Sequence, residues 1–233
     1  MGKETILLVD DEVEILDLLE VYLVNDGYSV LKCTRGAQAL DEVKGREIHL
    51  AILDVMLPDM DGFRLLKEIR EEFFFPIIML TAKIADGDKI MGLTMGADDY
   101  ITKPFNPLEV VARVKTQLRR YQSYNQPKDA PGEGEEYDIR GLVINRLSHK
   151  CLLYGREISL TPIEFSILWH LAEHQGRVVP SDELFEAVWG EKYYRNNNNT
   201  VMAHIGRLRE KLQEPAKNPK FIKTVWGVGY EIE

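Results

Sequence analysis

Residues 50–54 read Leu-Ala-Ile-Leu-Asp, a short apolar run that ends in an acidic residue. Four more short apolar runs occur in the first half of the chain, at 5–9, 28–33, 77–80 and 100–101. The runs are followed by helix-like stretches at about 13–26, 37–45, 61–72, 87–95 and 107–120. Short, nearly continuous apolar strands that alternate with helices indicate a parallel sheet covered on both faces. The first half therefore predicts a doubly wound α/β domain with a five-stranded parallel sheet.

The chain beyond residue 120 follows a different pattern. Residues 121–136 have no periodic apolar face and are predicted to be a flexible linker. After them come short predicted strands over 137–160, and the chain ends in a predicted β-hairpin with glycines at its tip. Three helices are predicted between these parts, at about 162–174, 181–189 and 199–213. We therefore predict two domains, 1–120 and 137–233, of which the second is α+β.

Charge and composition divide at the same place. Of the 233 residues, 1–136 hold 26 acidic and 16 basic residues (net −10), and 137–233 hold 12 and 13 (net +1). No apolar run approaches the roughly 20 residues that a membrane helix needs, so no membrane association is expected. Cys33 and Cys151 lie in different predicted domains, which makes a structural disulfide improbable. These features predict a cytoplasmic protein.

Polar residues stand at the carboxyl ends of four predicted strands. They are Asp10, Asp11, Asp54, Thr81 and Lys103. Ligands of open α/β sheets bind at this edge, and three carboxylates that meet there repel one another unless a cation lies between them. Oxygen ligands favour Mg²⁺. With Mg²⁺ present, Asp54 is equipped to act as a nucleophile in phosphoryl transfer, with Thr81 and Lys103 holding the phosphoryl oxygens.

Each of these residues also has a simpler interpretation. Asp10 and Asp11 could cap the first helix, and Thr81 could be purely structural. Lys103 could be a solvated loop residue, although Pro104 after it imposes extended geometry and permits a cis bond. The combination of all five at one edge is much more specific than any single member.

Four strings carry a resemblance over residues 4–120. They are Leu-Leu-Val-Asp-Asp-Glu, Ile-Leu-Asp-Val-Met-Leu-Pro-Asp-Met-Asp-Gly, Met-Leu-Thr-Ala and Gly-Ala-Asp-Asp-Tyr-Ile-Thr-Lys-Pro-Phe. This half resembles the flavodoxin-like receiver domain of two-component response regulators. The resemblance implies that Asp54 accepts a phosphoryl group from a sensor histidine kinase. It also implies Mg²⁺ bound by Asp11, Asp54 and the backbone carbonyl of Met56, supported by Asp10 through water. Thr81 and Tyr100 would form the switch pair.

The same resemblance implies a two-fold homodimer on phosphorylation. Its face would comprise helix 87–95, strand 98–102 and helix 107–120, with the charged residues Lys89, Asp98, Asp99, Glu109, Arg113 and Arg120. Lys89 would pair with Glu109, and Asp99 with Arg113, across the axis. Such pairs contribute only about 0–1 kcal/mol each when exposed, which suits a reversible switch.

The predicted helix 199–213 has the features of a DNA-reading helix. Val201, Ile205, Leu208 and Leu212 form its core stripe. The outer face is predicted to carry Thr200, Ala203, His204, Arg207 and Lys211. Between 204 and 223 there are six Lys/Arg against Glu210 and Glu214, a local excess suited to the major groove of double-stranded DNA.

The second half resembles the winged helix-turn-helix domain of OmpR/PhoB-type regulators. The strings are Leu-Thr-Pro-Ile-Glu-Phe-Ser-Ile-Leu, Asn-Thr-Val-Met-Ala-His-Ile-Gly-Arg-Leu-Arg-Glu-Lys-Leu and Thr-Val-Trp-Gly-Val-Gly-Tyr. The DNA-binding residues would be Asn199, Thr200, Ala203, His204, Arg207, Lys211, Lys223, Trp226 and Tyr230. RNA polymerase is the further partner that the resemblance implies. Two residues depart from the family pattern, because Gly206 and Trp226 stand where many relatives have arginine. Trp226 could pack under the hairpin or stack on a sugar.

These features predict a transcription regulator switched by aspartyl phosphorylation rather than a metabolic enzyme. The sequence strings quoted above resemble those of family members that control vancomycin resistance. Glycopeptide-resistance genes are therefore a hypothesis for the genes that this protein regulates. Two alternatives remain. Haloacid-dehalogenase-type phosphatases use a strand-end aspartate but need an acid two residues later, where this chain has Met56. A DNA-binding module independent of phosphorylation would not require the intact aspartate site, and titration with a phosphodonor distinguishes it.

Overall fold

The computed structural model describes residues 4–82, 96–125, 136–190, 198–215 and 217–233. The chain forms two compact units, Met1–Tyr121 and Gln122–Glu233. In the described parts no helix is long and apolar enough to cross a bilayer. The predicted helix 87–95 lies outside the described residues.

The first unit contains the predicted five-stranded parallel sheet, in the order β2-β1-β3-β4-β5. Its strands are β1 (Thr5–Val9), β2 (Ser29–Cys33), β3 (Leu50–Asp54), β4 (Ile77–Ala82) and β5 (Asp99–Lys103). The described helices are α1 (Val13–Asn25), α2 (Gly36–Gly45), α3 (Gly62–Arg70) and α4 (Pro107–Asn125). The last of these continues into the segment predicted to be a linker.

Both faces of this sheet are covered, as the continuous apolar strands predict. Side chains alternate along β1, so Ile6 and Leu8 pack in a cluster with residues of α1 and α4. Leu7 and Val9 pack on the other face, with residues of α2 and α3. The sheet is therefore buried on both sides, and its carboxyl edge is left as the place for polar residues.

The turn after β3 is shaped by Gly62, the first residue of α3. A Cβ atom there would lie 2.0 Å from the carbonyl oxygen of Asp54, closer than any real contact. The Gly62 N–H donates to the Val55 carbonyl oxygen at 2.8 Å, which closes the turn. Asp61 caps α3, since its Oδ1 accepts a hydrogen bond from the Phe63 N–H at 2.7 Å. The Lys103–Pro104 bond at the end of β5 is cis.

The second unit contains two antiparallel sheets and three described helices. The first sheet is β6 (Glu136–Ile139), β7 (Leu142–Asn145), β8 (Lys150–Leu153) and β9 (Arg156–Ile158). The second has the order β10-β12-β11, with β10 (Val179–Pro180), β11 (Ile222–Val225) and β12 (Gly229–Ile232). The helices are α5 (Pro162–Glu173), α6 (Ser181–Trp189) and α7 (Asn198–Lys211). Together they enclose one apolar core, and β11–β12 is the predicted terminal hairpin.

Candidate functional site

Three carboxylates meet at the carboxyl edge of the parallel sheet. Oxygen atoms of Asp10, Asp11 and Asp54 all lie within 4.8 Å of one another. Asp10 and Asp54 are almost fully buried, with 1% and 4% of their surfaces exposed, whereas Asp11 is exposed. The Asp10 Oδ1 also accepts a hydrogen bond from the Glu12 N–H at 2.9 Å, so Asp10 fixes the start of α1 as well.

The Lys103 ammonium joins these carboxylates. Its Nζ lies 2.8 Å from Asp10 Oδ2 and 3.3 Å from Asp54 Oδ1. A third partner is Glu12, whose Oε1 lies 3.1 Å from the same Nζ. Burial works against the charged ammonium, but its hydrogen bonds to Asp10 and Glu12, together with the negative charges of Asp54 and Asp10, outweigh that effect and raise the Lys103 pKa. Glu12 was not predicted from the sequence, and its place directly after Asp10 and Asp11 was the available signal.

The environment of Asp54 disfavours its charged form. Burial is the main cause that raises the pKa of this carboxyl, and the negative charge of Asp10 adds to it. The Lys103 charge and hydrogen bond act in the opposite direction without cancelling the shift. One ammonium thus contacts the buried carboxylates of Asp10 and Asp54 and the exposed carboxylate of Glu12, and Asp11 adds a fourth carboxylate, which leaves net negative charge among oxygen donors. This donor set fits a hard divalent cation such as Mg²⁺, which receiver domains bind at their acidic site.

The remaining predicted residues of this site lie around it. Met56 donates its N–H to Asp54 Oδ2 at 3.2 Å. Thr81 is buried at the end of β4, where its hydroxyl donates to the Ala82 carbonyl oxygen at 2.8 Å. Tyr100 is partly buried on β5, packs against the core, and has a hydroxyl oxygen shielded from solvent. Their roles at the phosphoryl group stay predictions.

Asp98 is a correction to the predicted dimer face. It is completely buried, and its Oδ2 lies 2.6 Å from Arg70 Nη2 of α3. The same oxygen accepts the Ile77 N–H at 2.8 Å, which ties β4 to the turn before β5. A carboxylate held in this way serves the interior of the unit and is not available to a second chain.

Asp99 and Arg113 already pair within one chain. Arg113 Nη1 lies 2.8 Å from Asp99 Oδ2, and Arg113 also contacts Glu109 one turn earlier on α4 at 3.2 Å. For Asp99 to pair with Arg113 across a dimer axis, the ion pair within each chain would have to break and be replaced by an ion pair between the two chains. Lys89 lies outside the described residues, as does the side chain of Arg120.

The outer face of α7 differs from the predicted one. The predicted core stripe is confirmed, but Ala203, His204 and Arg207 are buried too, with 6%, 0% and 7% of their surfaces exposed. The reason is that α7 packs against both α5 and α6, so its buried arc is much wider than the stripe. The His204 ring lies 5.4 Å from the Trp189 ring of α6. These three residues are therefore not on a DNA-facing surface.

Arg207 instead forms a buried ion pair, with its Nη2 2.9 Å from Glu164 Oε1. Lys211 binds the other oxygen of Glu164 at 2.6 Å and the Ser159 carbonyl oxygen at 2.8 Å. Lys223 pairs with Glu233, the residue that follows β12. Tyr230 is mostly buried, and Asn199 and Thr200 are partly exposed on the first turn of α7.

The surface that α7 does present is a groove beside the hairpin. The groove has a volume of about 520 Å³. Its lining includes Met202, Gly206, Arg209, Trp226 and Tyr230. Trp226 is 89% exposed, so it does not pack under the hairpin. Met202, Gly206 and Arg209 were missed as candidates, although their spacing of three and four residues marks a helix face.

The exposed centre of α7 predicts that Gly206→Ala stabilises the second unit. A Cβ at residue 206 meets no atom within 4 Å, and alanine is favoured over glycine in a helix by about 1 kcal/mol. Gly229→Ala is the matched control, because its Cβ would lie 2.0 Å from the Val179 carbonyl oxygen. Urea denaturation should show a higher midpoint for the first variant and a lower midpoint for the second. Equal midpoints would contradict the prediction.

An aspartate site at the edge of a parallel sheet, followed by a winged helix, is the architecture of a transcriptional response regulator. The chain matches the response regulator receiver domain over residues 6–115 and the family "Transcriptional regulatory protein, C terminal" over 155–232. The chain therefore belongs to the OmpR/PhoB-type two-component response regulators. The predicted family and fold class are confirmed. As a member, the chain has a cognate histidine kinase and acts on DNA as a transcription regulator rather than as an enzyme.

Its similarity to known relatives spans the whole chain. It is 62% identical over 231 residues to the regulatory protein VanRc of Enterococcus gallinarum, with 99% of each chain covered. It is 52% identical over 232 residues to the regulatory protein VanR of Enterococcus faecium, also with 99% of each covered. Among solved structures, the response regulator DrrB of Thermotoga maritima, an OmpR/PhoB homologue, is 33% identical with a TM-score of 0.52 and 99% of each chain covered.

Proposed function

We propose that Asp54 is the phosphoacceptor and that its phosphorylation by the cognate sensor histidine kinase switches DNA binding. The observation that carries this proposal is the contact of Lys103 with both Asp10 and Asp54 at the buried sheet edge. An aspartate that only caps a helix or forms a turn does not require an ammonium group beside it. A phosphoacceptor needs a carboxylate close to cationic groups that stabilise charge as it develops on the phosphoryl oxygens.

The chemistry follows from these contacts. An Asp54 carboxylate oxygen attacks phosphorus, the bond from phosphorus to the donor nitrogen breaks, and an aspartyl phosphate forms. Lys103 is close enough to Asp54 to exchange part of its contact with the carboxylates for a phosphoryl oxygen. Mg²⁺, held by Asp11, Asp54 and the Met56 carbonyl, would neutralise charge on the same oxygens. Thr81 and Tyr100 would then respond as the switch pair.

The phosphorylated form would dimerise and engage RNA polymerase at its promoters. Asp99, Glu109 and Arg113, which pair with one another within the chain, would form the charged part of the dimer face. The action of the chain on DNA supports a cytoplasmic location. The VanR-type relatives support glycopeptide-resistance genes as its targets.

Selection of bound genomic DNA, with and without beryllofluoride as a phosphoryl analogue, tests the proposal. We expect a defined set of promoters to be enriched when Mg²⁺ and beryllofluoride are present, and a strong loss of enrichment in Asp54→Asn. Equal enrichment under both conditions would instead support the phosphorylation-independent regulator.

The wing tryptophan predicts a DNA-binding effect without a stability effect. Trp226 is 89% exposed, so Trp226→Ala should leave the free energy of unfolding nearly unchanged. Loss of its apolar contact with DNA should weaken binding about tenfold, corresponding to about 1.4 kcal/mol. The salt dependence of binding should stay the same, because no charge is removed.

Lys223→Ala is the control for Trp226→Ala. If Lys223 contacts a phosphate, its loss should reduce the slope of log affinity against log salt by about 1. Titrations of labelled operator DNA at several salt concentrations separate the two effects. Full affinity in Trp226→Ala would remove the wing tryptophan from the DNA interface.

A further inference from the structure

A second group of metal-binding side chains lies in the DNA-binding unit. His170 and His174 stand one turn apart near the end of α5, and their ring centroids are 4.4 Å apart. Glu183, in the first turn of α6, has its Oε1 3.9 Å from His170 Nε2. One ligand atom from each of the three residues lies within 4.8 Å of the others. Nothing in the phosphorylation switch uses these residues.

Each of the two imidazoles has a ring nitrogen that can bind a metal ion. His174 Nδ1 lies 2.8 Å from the His170 carbonyl oxygen. A carbonyl only accepts, so Nδ1 carries the proton and the Nε2 lone pair is available. Histidine ligands of metals commonly donate their other N–H to a backbone carbonyl in this way. His170 Nε2 is buried and has no hydrogen-bond partner among the described residues.

Burial favours the neutral form of the His170 imidazole. Burial is the main cause that lowers the pKa of His170, and His174 and Arg177 lower it further. Glu183 and Glu173 act in the opposite direction but do not outweigh burial. Neutral imidazole is the form that coordinates metals. The half-buried position of both rings keeps them accessible to a metal ion.

Arg177 currently shares the carboxylate. Its Nη2 contacts Glu183 Oε1, and its side chain is half exposed. A divalent ion and a guanidinium compete for the same oxygen, so metal binding has to displace Arg177 into solvent. Because of this competition, removal of the Arg177 charge should increase the affinity of the site for metal.

We propose that His170, His174 and Glu183 bind one divalent transition-metal ion of the Zn²⁺ type. Two imidazoles and one carboxylate suit Zn²⁺, with water as the fourth ligand, and do not suit Mg²⁺. Ligands at about 2.0–2.1 Å around a tetrahedral ion are about 3.3 Å apart. The three side chains therefore need to move together by about 1 Å.

Metal binding at this position would join the end of α5 to the start of α6. The first two residues of α6, Ser181 and Asp182, line the groove beside α7. The ion would thus stabilise the framework that carries the DNA-binding groove. Metal binding here does not depend on phosphorylation at Asp54. An experiment can therefore disprove either proposal without affecting the other.

Zn²⁺ titration of the full chain against a chromogenic chelator tests the proposal. Excess Mg²⁺ occupies the aspartate site during the titration, and Asp54→Asn serves as a second control for that site. We expect one Zn²⁺ per chain, with affinity reduced at least tenfold in His170→Gln, His174→Gln and Glu183→Gln. His149→Asn removes an imidazole outside the cluster, tolerates the positive φ of 49° at that position, and should bind as the parent does.

Arg177→Gln is expected to change the Zn²⁺ affinity in the opposite direction. It frees Glu183 from its competitor, so Zn²⁺ affinity should rise severalfold while the three ligand variants lose affinity. Co²⁺ in place of Zn²⁺ should give the visible absorption of a tetrahedral complex, and this absorption should be absent in His174→Gln. Circular dichroism checks that each variant is folded. If a histidine variant does not fold, Glu183→Gln still tests the site, because Glu183 is partly exposed. Absence of a bound equivalent, or equal affinity in parent and ligand variants, overturns the proposal.

Discussion

Asp54→Asn is expected to abolish labelling of the chain by acetyl phosphate and Mg²⁺. The substitution keeps the size of the side chain but removes the nucleophilic carboxylate, which is buried at the end of β3 and lies 3.3 Å from Lys103 Nζ. Intact-mass spectrometry of the parent should show one added phosphoryl group, and the variant should show none. Chelation of Mg²⁺ should have nearly the same effect as the substitution.

The loss of label is not expected to come from unfolding. The raised pKa of Asp54, caused first by burial and then by Asp10, means that folding disfavours its ionised form. That unfavourable contribution grows as pH rises above the ordinary carboxyl range, so an amide at this position relieves it at neutral pH. The variant should therefore be at least as stable as the parent without Mg²⁺. Asp41→Asn, on the exposed surface of α2, is the matched control and should label fully. Undiminished labelling of Asp54→Asn would place the phosphoacceptor elsewhere.

The sheet and the aspartate site were predictable for the same physical reason. Apolar runs of about five residues define buried parallel strands, and the carboxyl ends of parallel strands meet at one edge. Asp10, Asp54 and Lys103 could therefore be brought together from strand ends alone. The position of Glu12 beside Asp10 and Asp11 suggests that it lies near the site, but its contact with Lys103 depends on the conformation of the exposed Glu12 side chain.

The width of the buried arc of α7 was not predictable from charge and spacing. Four apolar residues mark only part of the buried arc of α7, and nothing in their spacing shows that two other helices cover it. Helical spacing predicts Arg207 on the outer face because it lies opposite the apolar stripe. Asp98 is predicted on the dimer face only from the family resemblance. Each is buried because a partner distant in sequence, Glu164 or Arg70, supplies the opposite charge.

Arg207→Ala is accordingly expected to destabilise the winged-helix unit rather than to relax base recognition. Glu164 is fully buried at the start of α5, where its Oε2 accepts the Thr161 N–H at 2.8 Å in a capping box. Burial alone would raise the pKa of this carboxyl. Arg207 and Lys211 outweigh burial and lower the pKa, so Glu164 is ionised in the folded unit. Removing Arg207 leaves much of this buried charge without compensation.

Arg207→Ala is expected to lower the free energy of unfolding by about 3 kcal/mol. This value lies at the lower end of the range for breaking a buried ion pair, because Lys211 still compensates part of the Glu164 charge. Glu210→Ala, at an exposed position on the same helix, should change the free energy of unfolding by less than about 0.5 kcal/mol. All three tryptophans of the chain, Trp169, Trp189 and Trp226, lie in the second unit, so their fluorescence in urea reports its unfolding specifically.

The pH dependence of the Arg207→Ala effect identifies its cause. Ionised Glu164 with its partners stabilises the folded unit above the ordinary carboxyl pKa of 4.5, and this stabilisation is lost as pH falls through the lowered folded value. The stability difference between parent and variant should therefore be full at pH 7 and shrink as the solution is acidified below pH 4.5. A variant that keeps parental stability at pH 7 but loses preference at one operator base would return Arg207 to the DNA interface. Unchanged base preference among the molecules that remain folded supports the buried ion pair.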